Sequence, residues 1–354
     1  MKHILYDIAA RQKEATITGS QLEDAMKDVF RQVFREMAAA NMQTGFYRLV
    51  EENEHRRRLG YDTNNLITPN SSKNELIFTS KIQLMARLDL SNTGSVEEDV
   101  EAIRRQGANV AAKGLEHARK LMAMAQFHEW LSDDNSRLLL VDGHCQNFGN
   151  GKTSPLSVFC ASLASALGQS ESLIILQYFC GHHALESGGI PAGPLGLIKS
   201  LLGQLLHQSD DVLPQSVEVD KRLYGMTDFD DVDCLCELFG MLFSQISPSK
   251  ITICLLDEIA EFEGAHYGWM SGMCLVADQL KYMVHHYDGP QKLKVLMTSA
   301  NKSVMVSQKI PAEERASLRG YGLPNHSTGR LVISSSDLSL PREPSQRDCV
   351  YERQ

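Results

Sequence analysis

Two short stretches of this chain hold side chains from which chemistry can be built. The first runs from Arg137 to Ser154, where the apolar segment Leu138–Val141 passes into a loop that ends Gly149-Asn150-Gly151-Lys152-Thr153-Ser154. Glycines in such a loop let successive backbone N–H groups converge on an anion, and the helix that follows turns its positive end toward the same point. A lysine adds charge, and a Thr or Ser hydroxyl ligates a divalent cation. Phosphate is the anion this arrangement suits. Gly149, Gly151, Lys152, Thr153 and Ser154 are therefore the candidate phosphate contacts, with Thr153 also a candidate Mg²⁺ ligand. The spacing departs in one place. Gln146 stands five positions before Gly151, where a loop of this kind carries glycine, and Gly143 lies three residues too early to replace it.

The second stretch is Ile251-Thr-Ile-Cys-Leu-Leu-Asp257-Glu258, an apolar run that ends in adjacent carboxylates. On a sheet that also carries a phosphate loop, the first acid holds Mg²⁺ and the second acts as general base on the attacking water. Asp257 is thus the second metal candidate and Glu258 the catalytic one. A third apolar run, Leu293–Thr298, ends in Thr298-Ser299, polar groups placed to sense a γ-phosphate. Each stretch has a plain structural counterpart, a polar strand-to-helix turn or a solvated strand end. Their order along one chain favours the chemical reading. His182, His183 and Glu186 are a weaker metal-ligand set, of a kind that rim loops supply by chance. Asp228-Phe-Asp-Asp-Val-Asp233 lacks the glycine of a calcium loop and fits the positive end of a helix better.

The elements that position these groups alternate between short apolar strands and helices, which predicts an α/β fold with a mostly parallel five-stranded sheet covered on both faces. The strands are expected at Leu138–Val141, Ser172–Cys180, Ile251–Asp257, Leu293–Thr298 and Leu331–Ile333. Helices are expected at Ser154–Leu167 and Leu195–His207, from the Asp228–Asp233 acids to Ile246, and near Met273–His286. The Asp257 strand should lie beside the Leu138–Val141 strand or one place from it. A helical region precedes the sheet. Ser20-Gln-Leu-Glu23 is a capping box, followed by apolar residues at helical spacing from Leu22 to Met37. Ser95-Val-Glu-Glu98 opens a second helical stretch reaching about Trp130, with Gly107 and Gly114 as candidate breaks. The organisation read from this is a helical region over 1–131, the sheet domain over 137–333 and a polar tail over 334–354.

Composition narrows the function classes. The chain has 354 residues, 43% hydrophobic, enough for a substantial core, and a formal charge of −9 without the basic excess of a nucleic-acid binder. No run approaches the length of a membrane span and no secretory leader opens the chain, so a cytoplasmic protein is expected. Its eight cysteines include no CxxC, and several sit in apolar runs, where a reduced thiol behaves as a small hydrophobe.

With these stretches in order, residues from about Phe127 to Ile333 resemble the nucleotide-binding domain of the NACHT and wider STAND family of signalling P-loop NTPases, particularly the fungal members. The resemblance rests on Phe127-His-Glu-Trp-Leu131, the Gly151-Lys-Thr153 loop, Tyr178-Phe-Cys180, the helix Gly196-Leu-Ile-Lys-Ser-Leu-Leu-Gly-Gln-Leu-Leu206, Asp257-Glu258 and Val295-Leu-Met-Thr-Ser299. It implies an ATP or GTP switch with Mg²⁺ that controls assembly, here with a degenerate phosphate loop and with Ala300 where such proteins often place an arginine. Two functions follow. One is a nucleotide-binding regulatory domain with weak Mg²⁺-dependent binding and slow or no hydrolysis. The other is a non-enzymatic interaction protein on the same fold. In either, the N-terminal helices are a surface for a protein partner or for self-association.

Overall fold

The structure, a computed structural model, describes residues 75–319 apart from 91–95, 108–111, 146–152, 169, 185–191, 226–229 and 265–267. The chain enters through β1 (Leu76–Ser80) and α1 (Lys81–Arg87), then runs through three helices, α2 (Val96–Gly107), α3 (Ala112–Ala123) and α4 (Ala125–Ser132). There follow β2 (Arg137–Asp142), α5 (Pro155–Leu167), β3 (Leu173–Phe179), α6 (Gly193–Leu206), β4 (Ser216–Asp220), α7 (Lys221–Tyr224) and α8 (Val232–Phe243). Last come β5 (Ile251–Asp257), α9 (Met270–His286), β6 (Lys292–Ser299), α10 (Val306–Lys309) and β7 (Arg315–Ser317).

Five strands form one sheet in the order β3-β5-β6-β2-β7, and every neighbouring pair is parallel. The strand ending in Asp257 is one place from the strand that leads into the Gly-Lys-Thr loop, with β6 between them. Apolar residues dominate β2, β5 and β6, interrupted inside the strands by the buried Thr252 and Lys294, because both faces of the sheet are covered. Leu138 and Leu140 of β2 join the layer of α6, α8 and α9. Leu139 and Val141 join the opposite layer, with Ile103 of α2, Leu121 of α3, Phe127 and Trp130 of α4 and Phe159 of α5.

The fifth strand is β7, which pairs with β2 from Leu140↔Arg315 to Asp142↔Ser317. The expected last strand, Leu331–Ile333, lies outside the described residues, as does the helix expected after Ser20. The long helical stretch expected from Ser95 is three helices. Gly107 closes α2 where a Cβ would come 2.8 Å from Val158 Cγ2, whereas Gly114 lies inside α3 and the next break falls at Met124, in an extended conformation.

An unexpected pair, β1 and β4, forms a separate two-stranded antiparallel sheet. Lys81 fastens it: its Nζ donates to Gln208 O at 2.8 Å and Leu213 O at 3.0 Å and pairs with Asp210 at 2.8 Å. Two glutamines act as substitute strands. At the outer edge of β3, Gln177 N donates to Gln204 Oε1 at 2.9 Å and Gln204 Nε2 donates back to Gln177 O at 2.8 Å. Gln245 treats Glu218 of β4 in the same way, at 2.7 and 2.8 Å. Side-chain amides thus satisfy backbone groups that a neighbouring strand would otherwise take.

Helix α4 is tied to the middle of the large sheet. Trp130 Nε1 donates to Val295 O at 3.0 Å, and the buried Lys294 donates to Trp130 O at 2.8 Å and also to Asp133 O. Burial pushes the Lys294 ammonium down to about 8.

Candidate functional site

The site is built at the carboxyl ends of β2, β5 and β6, where ligands bind on open parallel sheets. After β2 the ladder continues into the loop: Gly143 N donates to Ser299 O at 2.8 Å and Cys145 N to Ala300 O at 2.6 Å. Between them His144 takes a left-handed conformation, φ 51°. A Cβ on Gly143 would lie 2.7 Å from Leu156 Cδ1 and 3.0 Å from Ser299 O, so glycine here permits close strand and helix packing. Gln146, Gly149, Gly151 and Lys152 lie outside the described residues.

The chain re-enters description at Thr153, which is 1% exposed. Its Oγ1 donates to Gln106 Oε1 of α2 at 2.6 Å and lies 3.3 Å from His182 Nε2. Ser154 is the N-cap of α5. Its hydroxyl accepts from Leu156 N and Ser157 N, and Ser157 Oγ accepts from Ser154 N at 3.0 Å, a reciprocal capping box with Pro155 in the first turn. Both capping hydroxyls also face the acids, Ser157 toward Asp257 and Ser154 toward Glu258, and favour their ionised forms. The helix that follows Gly-Lys-Thr therefore starts directly against the acidic strand end.

Asp257 closes β5 at 1% exposure and accepts from Thr298 Oγ1 at 2.6 Å. Glu258 turns sharply into a left-handed conformation, φ 58°, at 6% exposure, and its Oε2 accepts from Ala300 N at 2.9 Å. A non-glycine residue at positive φ is strained and is held there by its surroundings. Burial is the main cause that raises both carboxyls above their ordinary range. Asp257 raises Glu258 further, while the hydrogen bonds from Ser157, Thr298, Ala300 and Ser154 oppose the shifts. Among the described residues neither acid makes an ion pair. The hydroxyl of Ser299 is buried without a hydrogen-bond partner.

The end of β6 and the residue after it thus join the parts of the site: Thr298 and Ala300 hold the two acids, while Ser299 and Ala300 hold the start of the loop. The segment after them is clamped by carboxylates. Ser303 N donates to Asp142 at 2.9 Å, and Glu263 accepts from Ser303 Oγ at 2.7 Å, Val304 N at 2.6 Å and Val306 N at 2.9 Å.

His182 and His183 follow β3 in the short helix Cys180–His183. His183 Nε2 lies 2.7 Å from Asp99 Oδ2 of α2, and its ring stacks on Tyr178 at 4.7 Å. These histidines are engaged separately, one with Asp99 and one with Thr153, and Glu186 lies outside the described residues. No metal-ligand cluster of three or more His, Cys, Asp or Glu occurs among the described residues.

The arrangement fits a cation with an anionic ligand. Two buried like-charged carboxylates are relieved by a dication, a threonine hydroxyl stands just before the N-cap of a buried helix, and a serine hydroxyl without a partner among the described residues adds a polar contact. The pairs Asp99–His183 and Gln106–Thr153 had no signal in the sequence, because they are contacts made by a helix more than forty residues upstream. Ser157 had one, being the third residue of the capping box opened by Ser154.

A family model described as Nephrocystin 3, N-terminal, matches residues 118–300, just over half of the chain, from within α3 to the residue after β6. No curated protein and no solved structure matches.

Proposed function

The chain belongs to the nephrocystin 3 N-terminal family, and from its site we propose that it is a nucleotide-binding regulatory protein with a NACHT and STAND type domain. In this reading it is cytoplasmic and fungal in type, takes ATP or GTP with Mg²⁺ weakly, and hydrolyses it slowly or not at all. The observation that carries the proposal is the junction of α5 with the ends of β5 and β6. There the capping hydroxyls of the Gly-Lys-Thr helix face the buried pair Asp257 and Glu258, to which Thr298 and Ala300 donate hydrogen bonds.

Bound with the nucleotide, Mg²⁺ supplies neutralisation of phosphate charge. Gly149 and Gly151 leave room for backbone N–H groups to face the phosphates, Lys152 adds the countercharge and Ser154 orients the helix end. Thr153 and Asp257 hold the ion. Ser299 offers its unpartnered hydroxyl near the γ-phosphate, next to Thr298. Glu258 accepts the proton of an attacking water, a role suited by a carboxyl that burial has moved toward neutral pH. Two features favour binding over turnover. Gln146 replaces a glycine of the cradle, where a side chain obstructs close backbone approach. Ala300 puts a methyl group where an arginine would stabilise charge developing during phosphoryl transfer.

A second reading, a non-enzymatic interaction protein on this fold, is favoured by Thr298, whose hydroxyl bonds Asp257 rather than facing open space. In both, the N-terminal helices serve a protein partner or self-association. No helix among the described residues is long and apolar enough to cross a membrane. Calorimetric titration with ATP and GTP in Mg²⁺ separates the two. Weak binding that Lys152→Ala abolishes supports the first, and no titratable binding at millimolar nucleotide supports the second. Robust multiple turnover lost in Glu258→Gln would overturn the claim of slow hydrolysis.

A further inference from the structure

Helix α2 reaches the site with two side chains seven positions apart on one helical face, Asp99 and Gln106. Asp99 holds His183, and Gln106 holds the hydroxyl of Thr153 at 2.6 Å. A threonine hydroxyl has one proton and two lone pairs. At 1% exposure Thr153 has no bulk water with which to exchange that proton, so its acceptor decides which way the oxygen's lone pairs turn. The other polar atom beside it, His182 Nε2, stands farther off at 3.3 Å. Gln106 Oε1 takes the proton instead.

We propose that Gln106 is a positioning residue for the cation. By accepting the Thr153 proton from the side of α2, it leaves a lone pair, rather than an O–H, for a divalent ion held between Thr153 and Asp257. The proposal rests on the nucleotide-and-Mg²⁺ reading above and extends the site to a helix that precedes the family match at residue 118. It makes a specific division of effects: Gln106 acts on the Mg²⁺-dependent part of nucleotide affinity and not on the rest.

The test is calorimetric titration of the full chain with ATP, in Mg²⁺ and in EDTA, for the wild type and three variants. Gln106→Ala is expected to weaken affinity in Mg²⁺ about tenfold, the scale of one hydrogen bond, and to leave affinity in EDTA unchanged. Gln106→Glu, an acceptor only, keeps the ratio of the two affinities at or above that of the wild type, its added negative charge favouring the cation. Arg104→Ala removes a different anchor of α2, the 2.8 Å bond to Ser165 Oγ, and keeps the wild-type ratio, so a loosened helix cannot mimic the effect. An unchanged ratio in Gln106→Ala, equal losses in both buffers, or the same loss in Arg104→Ala each overturn the proposal while leaving nucleotide binding intact. A wild type that binds no ATP in either buffer removes the functional reading and this inference together.

Discussion

Glu258→Gln removes one of two adjacent carboxylates that are 6% and 1% exposed. Burial, and for Glu258 also the neighbouring Asp257, raises these carboxyls in the folded protein, whereas in the unfolded chain Glu258 ionises near its ordinary 4.5. Below that value both states are protonated and the residue contributes nothing to pH dependence. As pH rises above it, the unfolded chain loses the proton first, so the folded state binds more protons and stability falls until the folded group also ionises. Each pH unit with a full proton of difference is worth about 1.4 kcal/mol, and two such units give about 3 kcal/mol by pH 8. Glutamine keeps an acceptor for Ala300 N–H, so the 2.9 Å backbone bond survives the change. In metal-free, nucleotide-free buffer the variant should therefore melt close to the wild type at pH 5 and about 6–12 °C higher at pH 8. Tryptophan-fluorescence melts at pH 5, 6.5 and 8 read this directly. A gap independent of pH, or a variant that melts lower at pH 8, refutes the argument that the pair is held against its own charge.

Three further outcomes follow from the geometry. Gly143→Ala puts a Cβ 3.0 Å from Ser299 O and 2.7 Å from Leu156 and should cost about 1–3 kcal/mol in urea unfolding, because a backbone oxygen cannot move aside cheaply. Lys294→Ala orphans the carbonyls of Trp130 and Asp133 and should cost about 2–4 kcal/mol at neutral pH. Since burial holds Lys294 down at about 8 against an ordinary 10.5, the folded wild type binds fewer protons between those values and gains stability as pH rises through them, a gain the variant lacks in urea titrations at pH 8 and 10. Gln204→Ala uncovers the backbone of Gln177 at the outer edge of β3. It should cost about 1 kcal/mol and give concentration-dependent association by light scattering.

Much of the sheet is legible in the residues because its central strands are buried on both faces and read as apolar runs, broken only at Thr252 and Lys294: Leu138–Val141, Ile251–Leu256 and Leu293–Met297. The edges carry less signal. In β7 only Ala316 of Arg-Ala-Ser is buried, so no run of β-branched or apolar residues marks it. The strand β4 did carry a signal, the alternation Ser-Val-Glu-Val-Asp with Val217 and Val219 inward, but its partner β1 lies some 140 residues earlier and no local pattern joins them. At the site, Asp257 and Glu258 stand out by type and by position after a buried strand. Gln106 and Asp99 look like the polar face of an ordinary amphipathic helix until the fold lays that face on Thr153 and His183.

The four contacts that join the loop to the acids through β6 differ in what they ask of the sequence. Gly143 N to Ser299 O, Cys145 N to Ala300 O and Ala300 N to Glu258 all run through the main chain of residues 299 and 300, and only Thr298 contributes a side chain. Position 300 serves the frame mainly through its backbone, which carries two of the bonds whichever side chain it bears, while its methyl group packs against the core. A change of side chain there can thus alter the site while the backbone bonds keep the strand ends in register.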